Sequence, residues 1–132
     1  SCSVALENLR ILQEEKIVEN VHDNIAPYLA KKWETLADHP LVGEAKIVGM
    51  MGSIAMTPHK ESRAKFAADV GTVGLACRTR CFANGLVMRH VGDRMIIAPP
   101  LVISKLDIDK LIKRATKSLD ETYDLIKANG FY

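Results

Sequence analysis

Apolar residues recur at helical spacing through the first third of the chain. Ala5, Leu9 and Leu12 form one stripe, and Val18, Val21, Ile25, Leu29 and Trp33 form a second. Pro27 lies inside the second helix and removes a backbone donor, which predicts a kink or break nearby. Asp38-His39-Pro40 then closes the helical section with turn chemistry. From Glu44 to Met56 charges become few and apolar residues occupy both parities, as in a strand covered on both faces or bent in the middle. Gly49 and Gly52 would permit that bend, or the close approach of another backbone.

Residues 57–68 are polar, with Pro58, Lys60, Glu61 and Arg63, and predict an exposed loop. Val70, Val73, Gly74, Cys77 and Cys81 mark one face of a third helix that stops at Asn84-Gly85. A hairpin follows, with arms Leu86 to His90 and Arg94 to Ala98 joined across Val91-Gly92-Asp93. Pro99-Pro100 ends the second arm, and Leu101 to Ile103 are expected to continue as extended chain. Ser104 with Asp107 resembles a capping box and opens the last helix. Its apolar stripe is Ile108, Leu111, Ile112, Ala115, Leu119, Tyr123 and Ile126, and Asn129-Gly130 is its stop. The expected order is α-α-β-α-β-β-α, an α+β fold with a small, mainly antiparallel sheet.

The chain has 132 residues, which suits one domain. Hydrophobic residues make up 48% and charged ones 26%, enough to build a core. A net charge of +2 argues against nucleic acid as the partner, which needs a concentrated basic face. The three cysteines, Cys2, Cys77 and Cys81, do not make a disulfide framework, so a cytoplasmic setting is expected. No apolar run approaches the roughly 18 residues of a membrane helix, and no membrane partner is expected. The chain opens on Ser1 and runs straight into a helical pattern, which reads as a fragment of a longer polypeptide.

The histidines His22, His39, His59 and His90 have no metal-site spacing, so no metal is expected. Cys77 and Cys81 share a helix face, where core filling is the simpler reading. Gly71-Thr72-Val73-Gly74 lacks the strand-turn context and lysine of a phosphate loop, which leaves helix packing as the reason for its glycines. No catalytic set assembles.

Arg89 differs. Alternation places Val87, Arg89 and Val91 on one strand face and Leu86 and Met88 on the other. A cation between valines needs an anion. One reading is a local ion pair with Asp93 or an acidic helix residue. The other is a planar fork held for a substrate carboxylate.

Four stretches, ALENLRILQEEKIVENV (5–21), HPLVGEAKIVGMMGSIAM (39–56), NGLVMRHVGD (84–93) and RMIIAPPLVISKLDIDKL (94–111), in this order resemble the C-terminal part of class III aminotransferases. These are pyridoxal-phosphate enzymes of fold type I, and the nearest branch is that of omega-transaminases using pyruvate as amino acceptor. The resemblance implies that the whole chain, 1–132, is the small domain. It also implies that Arg89 matches the mobile arginine that binds the substrate carboxylate and swings away from uncharged amines. In the acetylornithine and aminobutyrate branches an arginine usually stands three residues before the Pro-Pro segment. Here that position is Ile96, which favours the omega branch. The Schiff-base lysine and phosphate-binding groups belong to the family's large domain. The chain alone is therefore expected to bind no pyridoxal phosphate and to be inactive, while the parent would be a homodimeric enzyme acting on amines, amino acids and keto acids. A free-standing α+β module that binds small carboxylates, or regulates a partner, is the alternative.

Overall fold

The structure, a computed structural model, describes residues 1–132. Helix α1 (Cys2–Glu14) ends where Lys16 adopts a left-handed backbone, with φ of 49°. The chain restarts as α2 (Ile17–Asn20), widens into a π turn over Val21–Ile25, and continues as α3 (Ala26–Glu34). The expected interruption at Pro27 is therefore this widened turn just ahead of it. It puts Pro27 in the first turn of α3, where its missing N–H costs little. Ile25, Leu29 and Trp33 of the second stripe are buried, whereas Val18 is exposed and α1 buries nothing.

The segment expected to be one strand is two. Strands β1 (Val42–Val48) and β2 (Met51–Met56) form an antiparallel hairpin that turns at Gly49-Met50, with Gly49 at φ 57°. The sequence showed apolar residues at both parities because the inward phase shifts twice. A bulge between Val42 and Glu44 shifts it once, and the two-residue turn shifts it again, so Ala45 and Ile47 share a face with Gly52, Ile54 and Met56. Strands β3 (Arg89–Val91) and β4 (Arg94–Ile97) complete a four-stranded antiparallel sheet in the order β1-β2-β4-β3. With the broken helix counted once, the order becomes α-α-β-β-α-β-β-α, still an α+β fold.

Helix α4 (Thr72–Ala83) and helix α3 lie against one face of the sheet, and α5 (Lys105–Asn129) packs across both helices. Val42, Ile54, Met56, Met95 and Ile97 point into this core from the strands, and Trp33 sits fully buried at its centre. Gly52 faces that indole: a Cβ there would lie 2.8 Å from Trp33 Cε2. The close approach expected at this glycine is thus made by a ring and not by a backbone. The other sheet face is open to solvent and carries Val48 at 81% exposure, Met51 at 66% and Val91 at 54%.

Three further expectations are corrected. Val70 precedes α4 and is exposed. The polar loop is anchored inside, because Phe66 is buried and the buried Thr57 hydroxyl reaches Ala64 O at 2.9 Å. Leu101 to Ile103 form a turn, closed by Ile103 N–H to Pro100 O at 3.1 Å, which reverses the chain into α5. The cap is as expected: Asp107 N–H donates to Ser104 Oγ at 3.1 Å, and Gly130, at φ 65°, ends the helix.

Candidate functional site

Helix α4 stops at Asn84, and Gly85 turns the chain at φ 74°. This corner is fastened to α5. Asn84 Nδ2 donates to Ser118 Oγ (3.1 Å) and Glu121 Oε2 (3.0 Å), and Arg114 Nη1 donates to Gly85 O (2.8 Å). Leu86 and Met88 then plug into the core, which leaves Val87, Arg89 and Val91 pointing outward, as alternation requires. Leu86 N–H closes the corner onto Cys81 O at 2.8 Å.

Across the hairpin, Arg89 pairs with Ile96 and Val91 with Arg94. Ile96 in turn pairs with Ser53 on β2, so Arg89, Ile96 and Ser53 form a row on the open face. Arg94, in the same face, is engaged: it donates to Ser53 Oγ at 3.1 Å and lies 3.4 Å from Glu44 Oε2. Lys46 at 2.9 Å, with Arg94 second, holds the Glu44 carboxyl below the usual carboxylate range.

Arg89 has no such partner. Its guanidinium makes no ion pair and no hydrogen bond to any side chain or backbone atom of this chain. Asp93, the expected local counter-ion, is turned the other way and accepts Gly74 N–H at 2.9 Å, capping α4 from the hairpin turn. Gly74 is required for this contact, because a Cβ there would lie 2.0 Å from Gly92 O. Close packing thus accounts for Gly74, whereas Gly71 is needed for its left-handed backbone, at φ 92°.

Arg89 lines a cavity of about 400 Å3 together with Arg78, Phe82, Val87, Met88 and His90. The Arg78 guanidinium lies over the Phe82 ring, 4.8 Å from its centroid. A shallow hollow on the same open face, about 330 Å3, is lined by Val48, Met51, Ser53 and Ile96 among others. Arg78 and Phe82 were not picked out from the sequence. Their signal was a cation and an aromatic four residues apart, on the exposed flank of α4 next to the buried Cys77 and Cys81.

The remaining candidates are structural. His39 accepts Leu41 N–H at Nδ1 and bonds Asp120 through Nε2 at 2.9 Å. Cys77 and Cys81 are buried free thiols, and contact with Cys81 together with burial pushes the Cys77 thiol up. No group of three or more His, Cys, Asp or Glu side chains is placed to hold a metal ion. The cavity at Arg89 contains neither a lysine nor a carboxylate, so its residues do not make a pyridoxal-phosphate site.

The family described as aminotransferase class-III matches residues 1–119. This chain belongs to the class III aminotransferases. It is 57% identical over 122 residues to the putrescine–pyruvate aminotransferase of Pseudomonas aeruginosa, covering 92% of this chain and 26% of that protein. It is 32% identical over 127 residues to gamma aminobutyrate transaminase 3, chloroplastic, of Solanum lycopersicum, covering 96% and 24%. The omega transaminase of Pseudomonas jessenii in complex with PMP superposes with a TM-score of 0.86 at 31% identity, over 94% of this chain and 27% of that one. The chain thus spans about a quarter of the length of these class III relatives. Relatives named for putrescine and for gamma-aminobutyrate both match, so the substrate must be argued from the site.

Proposed function

We propose that this chain is the C-terminal small domain of an omega-type aminotransferase that moves an amino group from an amine or amino acid to a keto acid such as pyruvate, with Arg89 binding the substrate carboxylate. The observation that carries this reading is the unpaired Arg89 guanidinium, held between exposed valines above a cavity that contains no carboxylate. A guanidinium so placed presents a planar fork that matches a carboxylate bidentately. It rises from a three-residue edge strand, so its long stem is free to move the charge aside when the ligand is uncharged. The name of the 57% identical relative supports pyruvate as acceptor.

Pyridoxal phosphate is typical of the family and would be held by the large domain of the same polypeptide, not by these residues. That domain would cover the open sheet face and α1, in a cytoplasmic homodimer. The isolated chain would then be inactive. The alternative, a free-standing carboxylate-binding or regulatory module, requires those apolar surfaces to stay bare. An upstream reading frame carrying the cofactor lysine excludes it.

In the full-length enzyme, Arg89→Ala is expected to weaken carboxylate substrates more than simple amines. Losing one charge-assisted bond of about 1.5–3 kcal/mol corresponds to roughly ten- to hundred-fold in kcat/KM. Equal losses for both substrate types would remove the assignment.

A further inference from the structure

The peptide unit between Gly85 and Leu86 is held from both sides. Its carbonyl oxygen accepts Arg114 Nη1 of α5 at 2.8 Å, and its N–H donates to Cys81 O of α4 at 2.8 Å. We infer that Arg114 is a positioning residue for Arg89, because it clamps the peptide plane from which the strand carrying Arg89 departs. This role rests on the reading of Arg89 as the carboxylate ligand, and it adds a residue that lies outside the cavity.

A peptide plane is rigid, so holding its oxygen and its N–H fixes its orientation. Downstream of it Leu86 and Met88 are buried, and alternation from that plane turns Arg89 outward. Residues 86–88 carry no strand pairing, and the ladder of β3 spans only Arg89, His90 and Val91. β3 is also an edge strand, paired on one side alone. The plane at 85–86 is therefore the last polar tie ahead of Arg89, and Asp93 on Gly74 N–H holds the chain beyond the strand. With both ends of the span fixed, the side chain of Arg89 can move without its backbone.

Arg114 is bound into this corner twice. Its guanidinium reaches Gly85, and its carbonyl accepts Ser118 Oγ–H at 2.8 Å while Ser118 Oγ accepts Asn84 Nδ2 at 3.1 Å. Glu121 completes the frame, taking Asn84 Nδ2 on its carboxylate at 3.0 Å and Arg80 Nε on its carbonyl at 3.1 Å. The guanidinium also lies against the bare side of Gly85, where a Cβ would sit 3.5 Å from Nη1 and 3.6 Å from Cζ. Arg114 is exposed, so water can take over its hydrogen bond and its removal should cost little stability. A water molecule is not anchored to α5, however, and does not fix the direction of the plane.

The test is steady-state kinetics in an enzyme of the relatives' full length, with L-alanine and isopropylamine as amino donors. The second has a methyl group where the first has its carboxylate. Wild type, Arg114→Ala, Arg114→Lys, Arg89→Ala and the Arg89→Ala/Arg114→Ala double variant would be compared, with urea midpoints to check folding. Arg114→Ala should lower kcat/KM for L-alanine roughly three- to ten-fold more than for isopropylamine, through KM and not kcat. Arg114→Lys, which keeps a charged donor, should restore part of that selectivity. Once Arg89 is gone, Arg114→Ala should add no further loss of selectivity, since the group it positions is absent. Equal losses for the two donors, or additive losses in the double variant, overturn the role. Where Arg114→Ala fails to fold, Arg114→Met, which keeps the stem and loses every donor, carries the same comparison. Arg89→Ala separates the two readings. If it costs both donors equally, the reading of Arg89 falls and that of Arg114 with it. If it is selective and the Arg114 variants are not, only Arg114 loses its role.

Discussion

Asp93 lies four residues beyond Arg89 on the same hairpin, yet its carboxylate points at the first turn of α4. Alternation along residues 86–91 was sufficient to show which way Arg89 faces, because the buried Leu86 and Met88 fix the phase. It could not show what Asp93 binds. That partner depends on how closely the hairpin turn sits on α4, and the distance is set by a glycine-to-glycine contact between Gly74 and Gly92. Arg78 was hidden for a related reason. Periodicity identifies the buried face of α4, and Arg78 is on the exposed flank next to it. Asp93→Ala should cost about 1–2 kcal/mol, since it leaves a part-buried N–H at a helix start without an acceptor. Asp93→Asn keeps an acceptor oxygen and should cost less. Urea unfolding of the two variants measures this, and a neutral Asp93→Ala would show that water replaces the cap.

At the scale of elements, long periodic helices were legible and short strands were not. Helix α5 declared its cap, its stripe and its stop, because all three are local. The hairpin of β1 and β2 did not, because a bulge and a two-residue turn together shift the inward phase twice within fifteen residues of chain (42–56). The consequence is concentrated at Gly52. A methyl group there meets the Trp33 ring at 2.8 and 2.9 Å and Ile97 Cγ2 at 3.1 Å. The indole cannot retreat, since it is fully buried and its Nε1–H reaches Ser53 O at 3.3 Å. Alanine in place of glycine gains about 0.5–1 kcal/mol in backbone entropy, while overpacking a rigid core costs about 1–3 kcal/mol. Gly52→Ala is therefore expected to destabilise on balance. Trp33 is the only tryptophan in the chain, so its fluorescence reports the same site. An unshifted emission spectrum with unchanged stability would show that the indole has room to move.

For the molecule as a whole, the α+β class was readable from the succession of patterns, and the resemblance supplied the family. The surfaces left uncovered were not readable, because an apolar stripe announces burial without naming what covers it. Helix α1 makes the point. Of its stripe, Ala5 and Leu9 are exposed and Leu12 is half-buried, and no residue of the helix is fully buried. A helix with only Ile11 and Leu12 half-buried adds little to the core, so removing residues 1–10 from the isolated chain should change its unfolding free energy by no more than about 0.5 kcal/mol. Leu9→Asp should be equally neutral there. In an enzyme of the relatives' full length, as proposed, the outcome is expected to differ: if the additional polypeptide covers α1, burying Leu9 contributes about 1.5–3 kcal/mol and a charge at that position loses it. Chemical denaturation of the same substitution in both contexts separates the cases. A penalty only in the full-length enzyme makes α1 part of the contact between domains, a penalty in both places it in a core that this structure does not contain, and neutrality in both means that the stripe is left facing water.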